Sequence, residues 1–179
     1  MQLTTFSTPS FATVMFDTVK TLANLFELKL QGLYDAETQL AKALPALTNA
    51  ATDPQLRLGL EKYLHETESQ AAQLEQLATT LDLSLSGPGC KAMEGLIEEG
   101  DQLLSLNASD EVMDAAVISV VQQITHYNIA QYDTIARFAQ RLSYAPAALL
   151  LGNSLAAEKH TAETLKQLAS HWADEQVVG

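Results

Sequence analysis

The chain has 179 residues, of which 47% are hydrophobic, 18% are charged and 6% are aromatic, and its mean hydropathy is +0.01. This composition is typical of one globular domain and excludes collagen-like, low-complexity and wholly disordered chains. Twenty-two acidic residues against ten basic residues give a net charge of −12. Such a charge repels phosphate backbones and anionic lipid heads, so we expect no nucleic-acid partner and no membrane partner.

The N-terminal segment and the single cysteine bear on localisation. Residues 1–18 lack a basic start followed by an apolar run, so we predict an N-terminal arm rather than a signal peptide, followed by one helical domain over residues 19–179. No run of apolar residues approaches the roughly 20 needed to span a bilayer. Cys90 has no second cysteine with which to form an internal disulfide. We therefore expect a cytoplasmic protein.

Apolar residues recur at spacings of three and four along four long segments, which is the period of an α-helix. The pattern predicts long helices over about residues 21–50, 54–81, 110–142 and 146–174, and a short amphipathic helix over about 91–104. Asp53 and Pro54 are typical of a helix cap and a first helical residue. Breaker residues mark the segments 82–89 and 143–146. The sequence therefore predicts an all-α fold.

The lengths of the connections predict the topology. Tight turns join the first helix to the second and the third long helix to the fourth, whereas the span from about 82 to 109 is long enough to cross the whole bundle. This is the arrangement of a ferritin-like four-helix bundle with a short extra helix in the crossover. Glu66 lies 12 residues after Pro54, and Glu158 lies 12 residues after Pro146, so the two hairpins resemble internal repeats.

Three glutamates lie on or beside the apolar stripes, near the middle of their helices: Glu37, Glu66 and Glu158. An unpaired buried charge is costly, so such carboxylates are usually paired, protonated or bound to metal. Di-iron and di-manganese bundles take one Glu from each of two helices and a Glu-x-x-His pair from each of the other two. Here the third residues after Glu66 and Glu158 are Ser69 and Thr161, so both expected histidines are missing.

Structural interpretations of the same residues stay open. A glutamate beside an apolar stripe often keeps its carboxylate in water, or accepts a hydrogen bond from a Tyr or His across the bundle. His126 has an alternative as a core histidine, and Tyr34, Tyr127 and Tyr132 as core residues with a partner for the hydroxyl group. Cys90 is best interpreted as a structural cysteine.

Four segments are similar to the YciE/YciF-type family of bacterial stress-associated ferritin-like proteins. They are Leu33–Leu40 (LYDAETQL), Leu64–Glu68 (LHETE), Cys90–Glu99 (CKAMEGLIEE) and His126–Tyr132 (HYNIAQY). The segment Cys90–Glu99 is the most specific of the four. The resemblance implies a rubrerythrin-like four-helix domain that forms homodimers, with a site at the bundle centre that holds metal in some members.

The chain departs from this family pattern where the site is expected. Family members usually carry a Glu on each side of the His-Tyr pair, and those positions are Thr125 and Asn128 here. Many carry a His at the position of Gln70 and an acidic residue at that of Ala162. The resemblance therefore implies a site for iron or manganese that has fewer ligands than is usual in the family. Its ligands would be Glu37, Glu66, His126 and Glu158.

Two functions follow from these features. The first is a ferritin-like, stress-associated protein that binds a divalent metal, iron or manganese, with tyrosine hydroxyls supporting the ligands. The second is a non-catalytic scaffold or interaction module in which the same glutamates are hydrogen-bonded core residues. The absence of a glutamate at Thr125 disfavours catalysis and leaves simple metal binding open.

Overall fold

A computed structural model describes residues 19–175, with the backbone alone for residues 170–175. The predicted arm, residues 1–18, lies outside the described residues. Within them the chain is all-α, as predicted, and forms a ferritin-like bundle. Its helices are α1 (Leu22–Ala50), α2 (Pro54–Thr80), α3 (Lys91–Leu104), α4 (Asp110–Arg141) and α5 (Ala145–Glu175).

Local sequence sets the helix ends. The Asp53 side chain accepts hydrogen bonds from the backbone N–H groups of Gln55 and Leu56, and Pro54 begins α2. Asp82 and Ser143, which follow α2 and α4, adopt the left-handed conformation with φ of 54° and 60°. Both positions lie in the breaker segments that the sequence predicts.

The apolar interior has two parts, which lie at opposite ends of the bundle. The first core contains the C-terminal half of α1 and the N-terminal halves of α2 and α4, and its fully buried members include Leu44, Leu60 and Val121. The second core contains the other halves of these helices and the start of α5, with Phe26, Leu74, Tyr132, Ile135 and Leu151. Burying both cores supplies the main stabilising free energy of the bundle.

The crossover between the hairpins runs from the second core to the first. Leu83 and Leu85, just after α2, pack against the second core, whereas Met93 of α3 is fully buried in the first. The two hairpin turns also lie at opposite ends, because Ala51 belongs to the first core and Tyr144 packs against the second. This confirms the predicted topology of two hairpins joined by a long crossover.

A buried aspartate holds the first hairpin turn. The carboxylate of Asp114 in α4 accepts hydrogen bonds from the backbone N–H groups of Thr52 and Asp53, at 2.6 and 2.9 Å, and from the Thr52 hydroxyl at 2.6 Å. These contacts fix α4 against the α1–α2 turn and so set the level of α4 in the bundle.

Within the described residues, no helix is both long enough and apolar enough to cross a membrane.

Candidate functional site

A layer of buried polar side chains separates the two apolar cores at the middle of the bundle. Each of the four long helices contributes to it at the point where its stripe passes from one core to the other. We call this set the polar layer. Its members are Glu37 of α1, Thr67 and Gln70 of α2, Thr125 and Asn128 of α4, and Ser154 and Glu158 of α5.

Glu37 is fully buried, with 0% of its surface exposed. Its Oε1 atom accepts a hydrogen bond from the Tyr132 hydroxyl at 2.8 Å and one from the Asn128 amide at 3.3 Å. Burial raises the pKa of Glu37 well above its usual range, the negative charge of Glu158 raises it further, and the Tyr132 hydrogen bond lowers it. The neutral carboxylic acid is therefore favoured at this position.

Glu158 is 1% exposed and lies close enough to Glu37 for their charges to interact. Its Oε2 atom accepts a hydrogen bond from the Tyr63 hydroxyl at 3.0 Å. Burial raises the pKa of Glu158 to about 7, although the hydrogen bond from Tyr63 and the nearby amide groups of Asn128 and Gln70 act in the opposite direction. We call Glu37 and Glu158 the carboxyl pair.

Several oxygen atoms of the polar layer have no hydrogen-bond partner within the protein. They are Oε2 of Glu37, Oγ1 of Thr67, Oε1 of Gln70, Oδ1 of Asn128 and Oε1 of Glu158. An unsatisfied buried polar atom costs about 1 to 3 kcal/mol, more for a charged group. A proton on a carboxyl group, an ordered water molecule or a cation would satisfy such atoms.

The other two predicted ligands, Glu66 and His126, lie outside the buried part of the polar layer. Glu66 is at the edge of the layer, with 28% of its side chain exposed, 3.5 Å from the Lys62 ammonium and 3.3 Å from the Thr161 hydroxyl. His126 is exposed to solvent, because it follows Thr125 by one residue and a helix turns about 100° per residue. The structure brings Glu37 and Glu158 together, places Glu66 beside them, and does not bring His126 to the layer.

The three tyrosines that the sequence analysis considered as hydroxyl donors have different partners in the structure. Tyr132 donates to Glu37, whereas Tyr34 donates to the exposed Glu75 and Tyr127 lies 2.9 Å from the Cys90 thiol. Tyr63 donates to Glu158, a role that the sequence did not reveal. The signal was present, because a tyrosine on an apolar stripe at the level of a buried glutamate is a natural hydroxyl donor.

The donor set does not fit a di-metal centre. On α4 the two positions that carry glutamates in the resembling family hold Thr125, whose hydroxyl donates to the Gln122 carbonyl of its own helix at 2.9 Å, and Asn128. Among the residues that the structure describes, no group of three or more His, Cys, Asp or Glu side chains is arranged to hold a metal ion. The layer offers two buried carboxyl groups and several neutral oxygens instead.

Comparisons with known proteins agree with this fold. The family described as Domain of unknown function (DUF892) matches residues 21–178. The chain is similar to Protein YciF of Escherichia coli (strain K12), with 38% identity over 152 residues, which are 84% of this chain and 92% of the relative.

Two solved structures extend the comparison. The crystal structure of the E. coli stress protein YciF superposes with a TM-score of 0.84 at 36% identity, covering 87% of this chain and 99% of that chain. The structure of YcfI from Rhodopseudomonas palustris, for which a structural role has been suggested, gives a TM-score of 0.80 at 34% identity, covering 83% and 95%.

Proposed function

Because the chain belongs to the DUF892 family, with the stress protein YciF among its relatives, we propose that it is a non-catalytic, ferritin-like stress-associated protein. In this proposal a proton shared by two buried glutamates, rather than a pair of metal ions, offsets part of the negative charge at the centre of its bundle. The observation that carries the proposal is the carboxyl pair, held between neutral hydrogen-bonding side chains.

Counting protons explains how the pair is satisfied. Oε2 of Glu37 and Oε1 of Glu158 both lack a partner. One proton on either group turns an acceptor into a donor and removes the repulsion between two adjacent negative charges. Aspartic proteases keep two carboxyl groups together in this way, with the two groups titrating as a unit. Burial favours this singly protonated form in the present layer as well.

A protein of this kind acts through its surface and its rigidity. At the level of the polar layer, side-chain hydrogen bonds join α4 to α1 and α2 to α5, which favours one register within each pair of helices over alternatives. A scaffold role agrees with the structural role suggested for YcfI. The layer itself then needs no substrate.

A second candidate is a single divalent cation, iron or manganese, in the same layer. The unpartnered oxygens of Glu37, Gln70, Asn128 and Glu158 favour it, because hard cations bind carboxylate and amide oxygens. Glu37 and Glu158 would supply the charged oxygens, and Gln70 and Asn128 the neutral ones. Such an ion would cancel the negative charge of the pair and tie its helices together.

Metal analysis separates the two candidates. We expect protein purified without chelator to contain no stoichiometric metal, and its melting temperature to be unchanged by added Fe²⁺, Mn²⁺ or Zn²⁺. Glu66→Gln, at the edge of the layer, is the matched control for Glu158→Gln. A bound ion that raises the melting temperature of the wild type and of Glu66→Gln, but not that of Glu158→Gln, would contradict the proton proposal and support the cation.

The homodimer and the cytoplasmic location stay predictions. Analytical ultracentrifugation tests the first, because a homodimer has twice the 19.4 kDa mass of one chain. A single species at the mass of one chain at micromolar concentration would contradict the dimer. Fractionation of cells that produce the protein tests the second.

A further inference from the structure

The first part of the crossover lies along α1 and is attached to it by polar side chains. We call residues 84–90 the strap. Its two end residues, Ser84 and Cys90, each have both a backbone N–H and a backbone carbonyl bound by α1. The α1 residues that bind them follow one another at intervals of four, which places them on one side of the helix. They are Glu27, Gln31, Asp35 and Gln39.

At its first end the strap lies very close to α1. The backbone N–H of Ser84 donates to Glu27 Oε1 at 3.3 Å, and its carbonyl accepts a hydrogen bond from the Gln31 amide at 2.9 Å. Gly87 then passes over Gln31, because a Cβ atom at Gly87 would lie 2.7 Å from Oε1 and 2.8 Å from Cβ of that side chain. Gln31 is itself 4% exposed and has little room to move. A side chain at Gly87 would therefore push the strap away from α1.

At its second end the strap is held by Asp35. Oδ2 of Asp35 accepts hydrogen bonds from the Cys90 backbone N–H at 2.6 Å and from the Gln39 amide, which also donates to the Cys90 carbonyl at 3.3 Å. Gly89, with φ of 79°, allows the turn that brings Cys90 to this position. Cys90 is 7% exposed, and its thiol lies 2.9 Å from the Tyr127 hydroxyl group. The attachment to α1 therefore keeps the thiol buried.

Between its ends the strap has few apolar contacts. Leu85 packs against the second core but is only partly buried, and the next three residues, 86–88, are exposed. The strap contains no helix of its own before α3 begins at Lys91. Segments with few buried apolar contacts and solvent-exposed hydrogen bonds open locally, at a lower free energy than global unfolding.

We propose that the strap opens from α1 as a unit while both apolar cores stay folded, and that this opening exposes Cys90 to solvent. Asp35 makes the shortest hydrogen bond to the strap and is the main contact that opening breaks. The strap is thus a conformational device that determines when the single thiol of the chain is accessible. It goes beyond the function proposed above, since none of the four α1 residues belongs to the polar layer.

Thiol labelling of the full-length protein measures the opening, because Cys90 is the only cysteine. The rate of reaction with excess iodoacetamide is followed by mass spectrometry at increasing urea concentrations below the unfolding transition. Opening of the strap exposes little surface, so we expect a labelling rate that is nearly independent of urea. Labelling through global unfolding would instead rise steeply with urea.

Two variants loosen the strap in different ways. Asp35→Ala removes the acceptor of the Cys90 N–H, and Gly87→Ala places a methyl group against Gln31. Each should raise the labelling rate by roughly tenfold in the absence of urea. Far-UV circular dichroism and urea unfolding show whether the bundle is intact in each variant. If Asp35→Ala does not fold, Gly87→Ala and the urea dependence of the wild type decide the question.

Matched controls lie on α2, away from the strap. Glu61→Ala removes an exposed carboxylate and should leave the labelling rate unchanged. Gly59→Ala adds a methyl group where no other atom lies within 4 Å, so it should stabilise the helix and the whole bundle without slowing the labelling of Cys90.

The contrary results are distinct. A labelling rate that rises steeply with urea and falls roughly fivefold in Gly59→Ala would mean that Cys90 is exposed only by global unfolding, and would overturn the proposal. Unchanged labelling in both Asp35→Ala and Gly87→Ala, with the bundle folded, would show that the contacts with α1 do not control the opening, and would overturn it as well.

Discussion

Glu66 and Glu158 lie at the same distance from the proline near the start of their helices, yet the bundle treats them differently. Glu158 is 1% exposed and belongs to the carboxyl pair, whereas 28% of the Glu66 side chain is exposed beside Lys62. Burial raises the pKa of Glu158 to about 7. The likeness in spacing therefore does not extend to chemistry.

The difference arises from the rotation of each helix about its axis. On α2 the residues that face inward at this level are Tyr63, Thr67 and Gln70, and Glu66 lies between them on the side of the stripe. On α5 the inward positions include Ser154 and Glu158 themselves. The whole apolar stripe of a helix sets its rotation, so one residue's distance from the helix start cannot.

The largest effect that we predict is a pH dependence of stability at the carboxyl pair, measured through Glu158. The folded-state pKa of Glu158 is raised from 4.5 to about 7, so its stabilising contribution is complete below pH 4.5 and is lost as the pH rises through about 7. The free energy of unfolding of Glu158→Gln should match that of the wild type near pH 5 and exceed it at pH 8 by roughly 2 to 3 kcal/mol.

Urea unfolding at both pH values measures this difference. Glu66→Gln is the matched control and should follow the wild type across the range. The prediction fails if Glu158→Gln destabilises the protein at pH 8, which is the result that a bound cation would give.

The next effect concerns the tyrosine that donates to Glu158. Tyr63→Phe removes the 3.0 Å hydrogen bond to a buried carboxylate and should lower the free energy of unfolding by about 1 to 2 kcal/mol at pH 8. The loss should be smaller at pH 5, where Glu158 is protonated. Tyr34→Phe, whose partner Glu75 is exposed, should change it by less than about 0.5 kcal/mol. Equal losses in the two variants would remove the distinction between the sites.

A smaller effect tests whether Glu37 and Glu158 act as a pair. At pH 8 Glu37→Gln and Glu158→Gln should each stabilise the fold, and the double variant should gain less than the sum of the two by roughly 1 kcal/mol. The reason is that each substitution removes the same repulsion between the two groups. A double-mutant cycle from chemical unfolding gives the coupling free energy, and strict additivity would mean that the two carboxyl groups titrate independently.

The smallest change in the free energy of unfolding is expected when the ion pair of Glu66 is removed. Lys62→Gln removes the 3.5 Å ion pair with Glu66, which is partly exposed, so the free energy of unfolding should fall by less than about 0.5 kcal/mol. Adding 1 M NaCl should abolish even that difference, because salt screens surface charges. A loss above about 1 kcal/mol that persists in salt would place Glu66 inside the layer with Glu158.

The helices and their order could be predicted from the sequence because they depend on residues that are close together along the chain. The spacing of apolar residues predicted the helices within one or two residues at most ends, and Asp53 with Pro54 predicted the start of α2. Glu37 and Glu158 interrupt their stripes directly, so helical geometry placed them on the inward faces, and the structure then showed that both are buried. The long crossover followed from the breaker residues and the length of segment 82–109.

The tertiary structure alone decided which polar groups meet. That Tyr63 donates to Glu158, that Asp114 holds the first hairpin turn and that Gln70 has an unpartnered oxygen all depend on contacts between residues far apart in sequence. A helical period specifies which side of a helix is apolar, whereas packing sets its final rotation and level, and side-chain chemistry depends on differences of a few ångströms.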